Sequence, residues 1–178
     1  MTTLQMYGTA NDSIVDGPGL RYSVFVQGCS HCCKGCHNRD SQPCEGGYPL
    51  SVEQIVADVE SNKLIQGVTL TGGEPFEQCA EVLELARALS EKGYNLWIYS
   101  GYLFEDLMAG RPHEKAPELL ALCDVLVDGP FVQELNSYDL KWKGSSNQRV
   151  IDLKKTMQKG SVVLWEHDEL TFEKPVSW

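Results

Sequence analysis

Arg21-Tyr22-Ser23-Val24-Phe25-Val26-Gln27-Gly28-Cys29-Ser30-His31-Cys32-Cys33-Lys34-Gly35-Cys36-His37-Asn38 decides how the rest of the chain is read. Its first seven residues, Arg21–Gln27, are rich in β-branched and aromatic side chains and predict a strand. Gly28 ends that strand directly before Cys29, Cys32, Cys33 and Cys36. A strand that hands over to a cysteine loop places metal-binding or redox side chains at a strand end.

Outward from this segment, strands and helices alternate. Ser51 and Gln54 stand in capping-box spacing, and Val52, Ile55, Val56 and Val59 recur at helical intervals, which predicts a helix over 51–61. Gly67–Leu70 reads as a buried strand running into Thr71-Gly72-Gly73-Glu74-Pro75. Val82, Leu83, Leu85, Ala86 and Leu89 form one apolar face from about Glu77 to Lys92, and Gly93 supplies the stop. Asn95–Tyr99 is the next strand. Leu119–Leu122 closes a short helix before a strand at Asp124–Val127, and Gln148–Leu153 and Ser161–Trp165 read as late strands. The alternation predicts an α/β fold with a parallel sheet, helical crossovers and about five or six strands. Ligands of such sheets bind outside the carboxyl ends of the strands, where every motif here falls. A full eight-unit barrel takes about 250 residues, so the sheet is expected to be partial.

The 178 residues suffice for one domain with its own core. Apolar residues make up 42% and charged residues 22%, an ordinary globular mixture. No apolar run approaches the roughly 20 residues of a membrane span, and the first residues lack the pattern of a secretory signal, so a cytoplasmic protein is expected. A net charge of −10 argues against direct binding to a nucleic-acid backbone. Seven cysteines, an odd number, argue against a disulfide framework.

Taken as C-x3-C-x2-C, Cys29, Cys33 and Cys36 give three thiolates with no evident fourth partner. Structural zinc sites close with four ligands, whereas a 4Fe–4S cube on three cysteines keeps one iron free. Two other readings compete: a zinc-binding interaction module that adds Cys32, His31 or His37, and a redox pair at Cys33 and Cys36. Cys32 is extra to the motif, and Cys44, Cys79 and Cys123 are scattered.

With Thr71-Gly72-Gly73-Glu74-Pro75 following it, the cysteine motif resembles the radical S-adenosylmethionine (SAM) superfamily. Asp16-Gly17-Pro18-Gly19-Leu20-Arg21 and Cys36-His37-Asn38 look like the activating enzymes of glycyl radical enzymes. Asp124–Phe131 and Lys143–Arg149 look like the branch that activates anaerobic ribonucleoside-triphosphate reductase. The resemblance covers most of residues 12–153. It implies one radical SAM domain over 1–178, with a core of about 12–153 and an extension of 154–178, folded as a partial, open (β/α) barrel.

For the site, the resemblance implies a 4Fe–4S cluster on Cys29, Cys33 and Cys36, and SAM chelated at the free iron. Gly35, Cys36 and His37 would lie along adenine with Asn38 also binding the cosubstrate, Gly72, Gly73 and Glu74 along the methionine amino group, Ser100 by the ribose or carboxylate, and Asp128 near the methionine end, acting through a bound cation. The implied reaction is reductive SAM cleavage to a 5′-deoxyadenosyl radical that takes hydrogen from a glycine of the partner reductase. A flavodoxin or ferredoxin would be the electron donor. An activase of a formate lyase or dehydratase is the alternative within the same chemistry.

Overall fold

A computed structural model describes residues 2–166. Its frame is one open seven-stranded sheet in the order β3-β1-β2-β4-β5-β6-β7. The strands are β1 (Thr3–Ser13), β2 (Arg21–Val26), β3 (Tyr48–Ser51), β4 (Gly67–Gly72), β5 (Asn95–Tyr99), β6 (Val125–Asp128) and β7 (Arg149–Asp152). The central block β2-β4-β5-β6 is parallel. Antiparallel pairings flank it, β1 with β2 and β3 on one side and β7 with β6 on the other.

The expected open α/β sheet is therefore present, with seven strands rather than five or six. The additional ones are β1 and β3, which lie before and after the cysteine loop. Two local expectations change. Gln148–Leu153 contains a strand only over Arg149–Asp152, which runs antiparallel, and Leu153 opens helix α5 (Leu153–Lys159), capped by the Asp152 carboxylate. Ser161–Trp165 forms no strand but one isolated bridge, Ile151 to Leu164. Residues 167–178 of the expected extension lie outside the described residues.

Helices α1 (Val52–Ser61), α2 (Cys79–Glu91), α3 (Phe104–Met108) and α4 (Ala116–Leu122) join α5 over one face of the sheet. The capping box at Ser51 is formed: its Oγ accepts the Gln54 N–H at 3.2 Å, and Gln54 Oε1 accepts the Ser51 N–H at 3.0 Å. Strand alternation then sorts the side chains. Tyr22, Val24, Val26, Val68, Leu70, Leu96 and Ile98 enter the helix-side core. Trp97, Val125 and Val127 face the other way and form a second cluster with Tyr99, Trp142, Val150 and Trp165.

Among the described residues, that second face has loops and not helices over it, which leaves room for a site. Its lower part is fixed by Arg21, only 1% exposed. The guanidinium donates to Thr69 Oγ1 at 2.7 Å, the Val68 carbonyl at 2.9 Å and the Asn95 carbonyl at 3.1 Å. It also lies 5.5 Å from the centre of the Trp97 ring. Among the described residues no carboxylate touches it, and burial lowers its pKa to about 10. Three strand beginnings are thereby fastened together. Asp16, on the loop before β2, accepts from Ser13 Oγ at 2.5 Å and Ser23 Oγ at 2.7 Å. Among the described residues, no helix is long and apolar enough to cross a membrane.

Candidate active site

The cysteine loop leaves β2 at Gly28, whose φ of +98° is open to glycine and strained for other residues. Cys32 (φ 49°) and Gly35 (φ 73°) repeat the left-handed conformation and wind Cys29–Cys36 into a tight loop. Backbone bonds anchor its start: the Gly28 N–H donates to the Ser41 carbonyl at 2.7 Å and the Cys29 N–H to the Gln42 carbonyl at 2.9 Å. The Ser30 N–H donates to Glu77 Oε1 at 2.9 Å. Cys29, Cys33 and Cys36 are partly buried, whereas Cys32 and Cys44 are exposed.

The GGEP turn is bonded directly to this loop. The Gly73 N–H donates to the Val26 carbonyl and the Glu74 N–H to the Gly28 carbonyl, both at 2.8 Å. A Cβ on Gly73 would lie 2.1 Å from the Gly28 carbonyl oxygen, and one on Gly72 2.5 Å from the Val26 nitrogen. The close approach that these glycines permit is thus to the backbone at the end of β2 and at the first residue of the cysteine loop, a contact the sequence did not disclose.

Glu74 is 1% exposed. It accepts the Phe76 N–H at 3.1 Å, the Gly101 N–H at 2.8 Å and the Ser100 hydroxyl at 3.0 Å, and its Oε2 lies 3.1 Å from His31 Nε2. That contact raises the His31 pKa. His31 also packs edge-on against Tyr102, with centroids 4.4 Å apart. Glu74 and Ser100, expected on separate parts of a ligand, are brought into one network with His31. An ammonium reaching the Glu74 carboxylate would have to take the imidazole's place.

Asp128 is placed differently. Its carboxylate accepts the Phe104 N–H at 2.8 Å, which holds the start of α3, and Arg149 Nε–H at 3.0 Å. Arg149 also bridges to Glu105 at 2.8 Å and lowers that carboxyl's pKa. The cation beside Asp128 in this structure is a guanidinium. His37 packs near the Phe131 ring, 5.3 Å between centroids. Asn38 receives, at its carbonyl, the Ser41 N–H and hydroxyl at 3.0 and 2.7 Å.

Cys36, His37 and Asn38 line a cleft of about 630 Å3 that continues past Phe25, Thr71 and Tyr99 to Trp142. Burial, with Glu74 and Glu77 adding repulsion, pushes the Cys29 thiol up to about 12. A thiolate in that place needs a positive centre, which iron supplies. The Gln42 side-chain nitrogen is buried without a hydrogen-bond partner among the described residues, on the residue whose carbonyl receives the Cys29 N–H. An unspent N–H beside a cysteine loop suits a sulfide-bearing group, since such donors tune clusters. Among the described residues, no three Cys, His, Asp or Glu side chains are grouped to share one metal ion. A cubane does not ask that of them, because its thiolates bind different irons. Soft donors on one loop thus fit a cluster.

A cube on three thiolates keeps one iron corner for a chelating cosubstrate, and that division of labour defines the radical SAM class of iron–sulfur enzymes. Comparison with known proteins agrees. A family model described as a 4Fe-4S single cluster domain matches residues 15–151. The chain is 36% identical over 149 residues to the anaerobic ribonucleoside-triphosphate reductase-activating proteins of Escherichia coli (strain K12) and of Salmonella typhimurium, covering 79% of this chain and 94% of theirs. Its identity to the protein of the same name from enterobacteria phage T4 is 34% over 162 residues, 86% of this chain and 93% of that one. The chain belongs to the anaerobic ribonucleoside-triphosphate reductase-activating protein family. Among solved structures, QueE from Escherichia coli has a partial likeness, with a TM-score of 0.42 at 17% identity over 56% of this chain and 52% of that one.

Proposed function

We propose that this chain activates an anaerobic ribonucleoside-triphosphate reductase by generating a glycyl radical on it, with Cys29, Cys33 and Cys36 holding the 4Fe–4S cluster. When bound and reduced, the cluster supplies the electron that cleaves SAM to methionine and a 5′-deoxyadenosyl radical, which takes hydrogen from the partner's glycine. The remaining chemistry is positioning. The backbone of Gly35–Asn38 borders the adenine side of the cleft. The Gly72–Glu74 turn, which follows Thr71 of the cleft, and Ser100 serve the methionine end. Asp128, tied to Arg149, fixes the start of α3 and the loop after β6 beside them. A flavodoxin or ferredoxin delivers the electron. All seven cysteines are unpaired, which supports a reducing compartment such as the cytoplasm.

The observation that carries this reading is the pair of 2.8 Å backbone bonds between the GGEP turn and the start of the cysteine loop. They make the two motifs one mount at the ends of β2 and β4, facing an open cleft. A hydrogen-atom transfer needs closeness more than an acid or base, and this mount supplies it. The test mixes anaerobically reconstituted, reduced protein and SAM with the reductase and follows electron paramagnetic resonance. A glycyl-radical doublet on the reductase, with 5′-deoxyadenosine released, is expected. SAM cleavage with a doublet only on a formate lyase or dehydratase partner would refute the assignment.

A further inference from the structure

Glu74 uses its whole bonding capacity inside the protein. Its Oε1 accepts the Phe76 N–H and the Ser100 hydroxyl, and its Oε2 accepts the Gly101 N–H at 2.8 Å and faces His31 Nε2 at 3.1 Å. A carboxylate offers about four acceptor sites, and these contacts occupy them. Three strand ends meet in this way. The carboxylate belongs to the turn after β4, Ser100 and Gly101 follow β5, and His31 stands on the cysteine loop after β2.

The loop is gripped along its first arm. Glu77 Oε1 accepts the Ser30 N–H at 2.9 Å and also the Ser30 hydroxyl. A carboxylate oxygen only accepts, so His31 Nε2 bears the hydrogen and donates to Glu74. The imidazole is enclosed: its side chain is 18% exposed, it packs edge-on to Tyr102, and a Cβ on Gly101 would lie 2.5 Å from its Cδ2. Cys32 follows at φ 49°, a conformation that persists in a residue with a side chain only where its neighbours enforce it. The second arm, Lys34–Cys36, is tied by an exposed ion pair, Lys34 to Glu134 at 4.0 Å.

We infer that His31 is a positioning residue: by donating to Glu74 it fixes the Cys29–Cys33 arm against the GGEP turn, and with it the seat that SAM takes between them. The inference rests on the activase reading above, which puts a cluster on this loop and SAM beside it. Ser30 and Glu77 hold the base of the arm. His31 is its link to the ends of β4 and β5 together. Without the imidazole donor that link is gone, the bend at Cys32 is free to relax, and only a fraction of molecules present the right geometry. Affinity for a ligand that needs both loop and turn falls by that fraction. The thiolates themselves are untouched, so the cluster stays while its cosubstrate is lost.

The experiment compares reconstituted wild type with His31→Gln, His31→Phe and His31→Ala. Glutamine places an amide N–H as many bonds from the backbone as Nε2, whereas phenylalanine keeps a ring without a donor. Iron and sulfide per chain, SAM affinity by equilibrium dialysis, and the electron paramagnetic resonance spectrum of the reduced cluster with and without SAM are read. All are expected to hold a full cluster. His31→Gln should bind SAM within about twofold of wild type, while His31→Phe and His31→Ala bind about tenfold more weakly, the scale of one hydrogen bond to a charged group left unmade. The spectral change on adding SAM should match wild type in the glutamine protein and differ in the other two.

His31→Phe binding SAM like wild type overturns the inference, because ring packing then suffices. So does His31→Gln binding as weakly as His31→Phe. Should the phenylalanine protein fail to fold or lose its cluster, Gly101→Ala decides the matter, since the added methyl dislodges the imidazole and leaves every donor in place. The same loss of SAM affinity is expected there, and unchanged affinity overturns the inference. Wild type that takes up a cluster and binds no SAM removes the activase reading itself. Variants level with a SAM-binding wild type remove this inference alone.

Discussion

Gly73→Ala is the sharpest probe of how the site is built. The added methyl would lie 2.1 Å from the Gly28 carbonyl oxygen and 2.8 Å from its carbon. A carbon–oxygen contact is comfortable at about 3.3 Å, so backbone must separate by about 1 Å. The two bonds across this junction, Gly73 N–H to Val26 and Glu74 N–H to Gly28, then stretch beyond useful length. Leaving buried backbone groups unsatisfied costs about 1–3 kcal/mol each, so for the two bonds a loss of about 2–6 kcal/mol is expected. For a chain of 178 residues that corresponds to a melting temperature lower by about 5–15 °C. Gly8→Ala is the control, because nothing lies within 4 Å of its added methyl. Thermal unfolding of both cluster-free proteins by circular dichroism, with iron and sulfide per chain after reconstitution, makes the measurement. A Gly73→Ala protein that melts within 2 °C of its parent and takes up a full cluster would refute the claim that turn and loop form one mount.

Cys32→Ser should reconstitute to the full iron and sulfide content, whereas Cys29→Ser, Cys33→Ser and Cys36→Ser should each lose most of the iron–sulfur absorbance near 400 nm, on the order of the whole signal. Arg149→Gln leaves the enclosed Asp128 carboxylate without its cation; because Arg149 is 31% exposed, a cost of about 2–4 kcal/mol in urea unfolding is expected, below that of a fully buried pair. The same variant should flatten the acid limb of stability. Arg149 holds Glu105 below its ordinary 4.5, so that link stabilises fully above pH 4.5 and is lost as pH falls through the lower folded value. Urea midpoints between about pH 3 and 6 read the difference. Ser51→Ala removes the capping-box acceptor at the start of α1 and should cost about 1 kcal/mol, read from the same unfolding curves.

Elements whose signal is local were legible in the sequence. The Ser51–Gln54 box forms as read, the apolar stripe of α2 is buried, and the central strands begin and end within a few residues of expectation. Pro75–Gln78 departs slightly, making a 3-10 turn before α2. β1 escaped because its second half, Thr9–Ser13, is polar and pairs with β2 through register shifts that break the alternation. α3 is five residues long, too short to show a period. In the site, the two motifs could be read, but not their partners. His31 and Ser100 meet at Glu74 from positions 43 and 26 residues away. Arg149 meets Asp128 only because β7 turns antiparallel against β6, a register no short pattern encodes.

Among the described residues, the sheet stops at β3 on one side and β7 on the other and does not meet itself. An enclosed barrel would have to admit a folded partner's backbone through a narrow pore. On the activase reading proposed above, this arrangement would work instead like a mould with one wall missing, which the reductase would complete on seating. Shielding of the short-lived radical of that reading from water would then be a property of the docked pair, and timing of the chemistry would pass to whichever molecule closes the gap.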